Sequence, residues 1–238
     1  MSKFREIVHA ELVNSPIDDD QYFKTQNKKK QIVLHHTASG KGVEGDIRYW
    51  NNTKSKISTC VLINWDGKIY QVFSSKFWGW HLGVRTAAIK AATGANITST
   101  QLNQRSIGVE IDNWGGLKQG QDGLWYAWPA EFGTKEGKKV AVPESAIQFY
   151  PNGFKGYEAF EKYTMPQLVT TMELMEYWHY VYGIPVDYNP NVWDIMTEAL
   201  SGEAGTFTHN SYRKDKSDVH PQPELIKAWQ DLTLKLRK

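Results

Sequence analysis

Apolar and polar positions along the chain sort into segments whose period predicts their structure. Residues 31–36, QIVLHH, form a short apolar run after a lysine-rich approach, and they predict a buried strand that carries histidines at its C-terminal end. Residues 43–52, VEGDIRYWNN, predict a helix. The stretch 58–73, STCVLINWDGKIYQVF, holds two β-type runs joined by Asp66-Gly67, a good hairpin turn. Residues 105–112, RSIGVEID, are another β-type run.

From Thr164 the period becomes helical. Thr164 can cap, Pro166 fits the first turn, and Leu168, Met172, Met175, His179 and Tyr182 recur at helical spacing before Gly183. Asn189–Leu200 predicts a second helix, ended near Gly202, and Pro223–Arg237 a third with Leu225, Trp229, Leu232 and Leu236 along one side. The tract 114–163 is rich in Gly, Trp and Tyr without a clean helical period, and reads as an elaborate loop or hairpin insertion.

Strands and helices are interspersed, and the hairpin means that the sheet cannot be all parallel. The fold class is α/β in the mixed α+β sense, a central mixed β-sheet flanked by helices. With no internal repeat and no Ser/Pro-rich linker, residues 1–238 read as one domain with an N-terminal extension, 1–30, and the insertion 114–163.

Composition changes this picture little. A net charge of +2 gives no reason to expect a nucleic-acid partner, and the runs Lys28–Lys30 and Arg213–Lys216 are local features. Cys60 is the sole cysteine, lies in an apolar run, and cannot form an intrachain disulfide. The first twenty residues lack an apolar signal core, and no stretch is long enough to cross a bilayer, so a monomer made in a bacterial cytoplasm is expected. Ten Trp and twelve Tyr suit either a core or a groove for sugar rings and peptides; Trp125 and Trp128 are candidate groove walls.

Four segments carry the side chains of a zinc hydrolase: LHHTAS, GWHLGV, SIGVEID and FTHNSYRKDKSDVHP. A catalytic zinc takes about three ligands from His, Cys, Asp or Glu and leaves one position open. His35, His209 and Asp218 would supply such a set. They are far apart in sequence, and spacing alone favours scattered structural histidines over a metal site.

LHHTAS, SIGVE and HNSYRKDKSDVHP resemble the signature segments of the zinc N-acetylmuramoyl-L-alanine amidases, the superfamily of short phage lysins, anhydromuropeptide amidases and animal peptidoglycan recognition proteins. The resemblance runs from about residue 31 to 226. It implies one zinc ion held by His35, His209 and Asp218, with Glu110 as general base and Lys216 facing the developing oxyanion. Thr37, and Trp80 and His81 of the family's Trp-His segment, are implied to contact substrate. His220, two residues beyond Asp218, is a rival ligand. His36 should point away from the ligand face as a packing or supporting histidine, and His9 and His179 as structural ones.

The implied activity is hydrolysis of the amide between N-acetylmuramic acid and L-alanine of peptidoglycan or a muropeptide. The setting implied is a phage or prophage endolysin acting on the cell wall after release. A non-catalytic peptidoglycan-binding module, a cytosolic muropeptide-recycling amidase and another zinc hydrolase of peptides or small amides are the alternatives.

Overall fold

A computed structural model describes residues 3–127 and 140–238. In chain order its elements are α1 (Lys3–Ile7), β1 (Leu12–Asn14), β2 (Gln31–His36), α2 (Glu44–Asn52), β3 (Val61–Ile63), β4 (Ile69–Gln71), α3 (Thr86–Thr93) and α4 (Ser99–Arg105). Then come β5 (Ser106–Ile111), β6 (Gly116–Gln119), β7 (Trp125–Ala127), β8 (Ala141–Val142), β9 (Ile147–Phe154) and β10 (Tyr157–Glu161). α5 (Met165–Tyr182), α6 (Thr197–Ser201), β11 (Gly205–Thr208) and α7 (Pro223–Leu236) complete it.

The central sheet runs β1-β4-β3-β5-β2-β11. Its strands are parallel neighbours except for the β3/β4 hairpin, whose turn is closed by bonds from Asn64 N to the Lys68 carbonyl and from Gly67 N to the Asn64 carbonyl. The mixed sheet is therefore the one that the hairpin signal demands. β2 is buried at every position, which explains its unbroken apolar run; a parallel strand covered on both faces has no polar side to show. β1, from the N-terminal extension, adds an edge strand in parallel with β4.

α5 begins where the sequence places it. Thr164 Oγ1 accepts from Gln167 N while Gln167 Oε1 accepts from Thr164 N, a reciprocal cap, and Gly183 ends the helix in the left-handed conformation. The helix packs against α1, α7 and β3. Gln167 Nε2 also donates to the Asp112 carbonyl at 2.6 Å, tying the helix start to the end of β5.

Two expectations change. Asn189–Leu200 is not one helix: Pro190–Trp193 is a 3₁₀ turn, Asp194 is extended, and α6 starts only at Thr197. The Asn189 side chain caps that turn locally, an Asx geometry that competes with helix propagation. The tract 114–163 narrows from loop or hairpin to hairpins: its described part forms a second, wholly antiparallel sheet in the order β8-β7-β6-β10-β9. That sheet has its own small apolar centre of Leu117, Ala127, Val142, Ile147 and Ala159. No helix among the described residues is long and apolar enough to cross a membrane.

Candidate functional site

Register brings the chemistry together. β2 and β5 pair with His35 beside Glu110, and β11 pairs with β2 so that Thr208 lies beside Leu34. His209, the next residue, therefore reaches the level of His35. Three neighbouring parallel strands thus present Glu110, His35 and His209 at their C-terminal ends, where open α/β sheets hold their ligands. Asp218 arrives from the irregular segment that follows. The Asp218 side chain is 13% exposed, and its Oδ2 lies 2.8 Å from His209 Nδ1 and 3.2 Å from His35 Nδ1. The two Nδ1 atoms are 3.1 Å apart.

The far side of each imidazole shows which nitrogen carries the proton. His209 Nε2 donates to the Leu82 carbonyl at 2.9 Å, leaving Nδ1 as a lone pair. For His35 the accounting runs through three groups. The Ser106 hydroxyl donates to the Asn103 carbonyl at 3.2 Å, so its oxygen accepts from His81 Nε2 at 2.7 Å. His81 Nδ1 is then an acceptor and takes the proton of His35 Nε2 at 2.9 Å, which leaves His35 Nδ1 bare.

Three acceptors consequently converge with no proton between them. A cation resolves that arrangement. For a four-coordinate zinc with bonds near ~2.0 Å, ligand atoms sit roughly 3.3 Å apart; the three separations here, 2.8 to 3.2 Å, fit that ion closely. The donor set of two imidazoles and one carboxylate fits it as well, and backing of each histidine by a carbonyl or a hydrogen-bonded partner is what metal-binding histidines require. This is the one cluster of its kind among the described residues.

The cluster opens into a cavity of about 370 Å³ lined also by Thr37, Trp50, Ile57, His81, Glu110 and Lys216. Glu110 Oε2 is buried and has no hydrogen-bond partner among the described residues. Burial, with Asp218 and Asp46 nearby, raises its pKa well above the usual carboxylate range, while Lys216 opposes the shift. Burial and the neighbouring His209 lower His35 to about 4, so it is a neutral ligand rather than a cation at neutral pH.

The remaining sequence candidates separate cleanly. Thr37 lines the cavity, its hydroxyl donating to the Asn113 carbonyl at 3.3 Å and accepting from Asn113 N at 3.1 Å. His81 lines it too, but both ring nitrogens are engaged within the protein, so its geometry is that of a support for His35 rather than a free substrate contact. Trp80 is not among the lining residues; its indole packs against Phe23 and Trp78. His220 is not part of the cluster, being buried with its ring nitrogens on Tyr150 and Glu161. His36 is buried and bonded to the Tyr163 hydroxyl, yet it also lines the cavity, so it is not turned wholly away from the site. His9 contacts Glu173 and His179 the Ile184 carbonyl, both remote. Trp125 packs on Phe149 in the second sheet and is not a lining residue; Trp128 lies outside the described residues. Ser106 and the Leu82 carbonyl were not singled out from sequence, because their roles exist only once distant segments meet.

No curated protein matches the chain. Among solved structures, the chain is similar over 94% of its length to the solution structure of the PlyG catalytic domain, covering 96% of it at 14% identity and a TM-score of 0.50. It is similar over 92% of its length to PlyL, covering 97% of that chain at 14% identity and a TM-score of 0.49. A Staphylococcus aureus hydrolase, AmiA, in complex with its ligand, aligns over 100% of this chain and 93% of its own, at 13% identity and a TM-score of 0.48. Likeness at this level of identity speaks to fold alone. The sequence profile of the N-acetylmuramoyl-L-alanine amidases matches residues 25–223, a span that includes the cluster, Glu110 and Lys216, and the chain belongs to that family.

Proposed function

We propose that this enzyme is a zinc-dependent amidase in which His35, His209 and Asp218 hold one ion, Glu110 is the general base and Lys216 stabilises the oxyanion. The observation that carries the reading is the convergence of three proton-free acceptors beside a carboxyl whose Oε2 is buried without a partner among the described residues. When bound there, zinc supplies a Lewis acid at the scissile carbonyl and makes a nearby water acidic enough to attack at neutral pH.

Glu110 takes the proton of the attacking water. Its elevated proton affinity suits this, since a base held at the usual carboxylate value would accept a proton poorly. The same carboxyl then returns the proton to the departing L-alanine nitrogen. Lys216, on the cavity wall, presents its ammonium to the carbonyl oxygen as charge develops there. The carbon–nitrogen bond breaks, leaving a lactyl carboxylate on the muramic acid and a free amino terminus on the stem peptide. Thr37 lies on the wall where substrate would pass.

Within this reading the substrate is peptidoglycan or a muropeptide derived from it, and the setting is a phage or prophage endolysin that meets the wall after release. The family membership supports the choice of substrate. The test is release of soluble stem peptides from purified peptidoglycan by metal-stripped protein before and after zinc is restored. New L-alanine amino termini that depend on zinc are expected. Binding of intact wall with no bond cut in the zinc-restored protein would turn the reading to a recognition module.

A further inference from the structure

Two of the three proposed ligands stand at the ends of β2 and β11, but Asp218 sits in a segment, 213–222, without helix or strand beyond a turn. A carboxylate on such a segment holds a metal tightly only if something fixes its backbone. The structure shows what does so. His220, separated from Asp218 by Val219 alone, is fully buried with 0% exposure, its ring stacked between Phe160 and Tyr163 at centroid distances of 4.7 and 4.5 Å. Its Nε2 donates to the Glu161 carbonyl at 2.9 Å and its Nδ1 accepts from the Tyr150 hydroxyl at 2.7 Å. Its backbone N–H donates to the Tyr163 hydroxyl at 3.2 Å, and that hydroxyl in turn donates to His36 Nδ1 at 2.9 Å.

The grip continues on both sides. Gln222 clasps the Tyr163 backbone, accepting from its N–H at 2.6 Å and donating to its carbonyl at 3.2 Å. Asn210 Nδ2 donates to the Val219 carbonyl at 2.7 Å. Tyr150 belongs to β9, Phe160 and Glu161 to β10, and Tyr163 lies two residues beyond it. Both ring nitrogens of His220 are thus committed to the second sheet and its backbone N–H to Tyr163 just after it, while Gly115, one residue before β6, abuts His36: a Cβ there, at φ +74°, would lie 2.6 Å from His36 Nε2.

We propose that the second sheet, β6–β10, is a positioning device for the third metal ligand, acting through His220. The proposal rests on the reading of His35, His209 and Asp218 as the metal ligands. It gives the inserted tract a role in holding the ion, and it assigns His220 as a positioning residue two places from a ligand rather than as a ligand.

The test compares zinc affinity, by competition with a chromophoric chelator, and the visible spectrum of the cobalt-substituted protein. The proteins are wild type, His220→Ala, His220→Gln, Tyr150→Phe and Ile147→Ala. His220→Ala is expected to lose about 10- to 100-fold in zinc affinity, the range for supporting residues of metal sites, and to alter the cobalt spectrum. His220→Gln, which offers an acceptor to Tyr150 and a donor to Glu161, should recover most of the affinity, and Tyr150→Phe should show a smaller loss than alanine. Ile147→Ala opens a cavity in the apolar centre of the same sheet without removing a hydrogen-bonding or ring partner of His220, and should lower the melting temperature without changing zinc affinity. If His220→Ala fails to fold, the loss in Tyr150→Phe decides. Wild-type affinity in His220→Ala, or in Tyr150→Phe where the alanine variant does not fold, or an equal loss in Ile147→Ala, overturns the positioning role while leaving the metal reading intact. Absence of zinc binding by wild type overturns the metal reading and this inference with it.

Discussion

His35 Nε2 and His81 Nδ1 lie 2.9 Å apart, and that single bond decides which nitrogen of His35 faces the cluster. Because His81 is itself fixed by Ser106, the orientation of His35 is set two residues away from the cluster. His81→Ala is therefore expected to lower zinc affinity by about 10- to 100-fold, measured by chelator competition, with KM for peptidoglycan fragments unchanged once zinc is saturating. A raised KM with wild-type zinc affinity would instead make His81 a substrate contact.

Glu110 combines a buried oxygen that lacks a partner with a strongly elevated proton affinity. Such a group costs folding stability and is retained for chemistry. Glu110→Gln keeps the shape and removes the charge, so turnover should fall by about 10²- to 10⁴-fold while the thermal midpoint stays level or rises. Steady-state assay and a thermal melt check both halves, and an active Gln variant would remove Glu110 from the role of base.

What could be read from the chain, and what could not, follows from how far apart the deciding residues are. QIVLHH and RSIGVEID announce themselves as strands because the centre of a covered parallel strand is a short β-branched, apolar run, here Ile32–Leu34 and Ile107–Val109, and the Thr164 to Gly183 helix is bounded by its own caps. Helix α4 was missed although its reciprocal cap between Thr98 and Gln101 is written locally. The ends of 189–200 misled because Asn189 and Pro190 start a turn that the apolar spacing does not register. The second sheet was unreadable for a different reason: its strands pair β6 with β10 across some forty residues, and only that pairing gives its alternation a meaning. At the site, candidate ligands are visible as residue types, whereas the proton positions that make them converge depend on Ser106 and Leu82 arriving from elsewhere.

Lys216 lines the cavity but belongs to a run, Arg213–Lys216, that reads equally well as surface charge. The two roles differ in what they leave behind. Lys216→Ala should reduce kcat by about 10²- to 10³-fold, the usual loss on removing one oxyanion donor, with zinc affinity and melting temperature close to wild type. A kcat within a few-fold of wild type would return the residue to the solvated surface.

Lys29 belongs to the other lysine run, and there the surface reading fails. It is 2% exposed, and its ammonium donates to the carbonyls of Phe77, Gln104 and Ser106 at 2.7, 3.0 and 3.1 Å, so it pins the backbone from which Ser106 reaches His81. No carboxylate is among these partners, and burial lowers its pKa from 10.5 to about 8. The unfolded chain then holds this proton more tightly than the native one between those values. The contribution of this ionisation to stability is fully present above 10.5 and is lost as pH falls through about 8. The unfolding free energy of wild type minus that of Lys29→Met should accordingly increase from pH 7 to pH ~10, as measured by denaturant titration at each pH. A difference independent of pH would mean that Lys29 titrates as an ordinary exposed lysine, contrary to its burial.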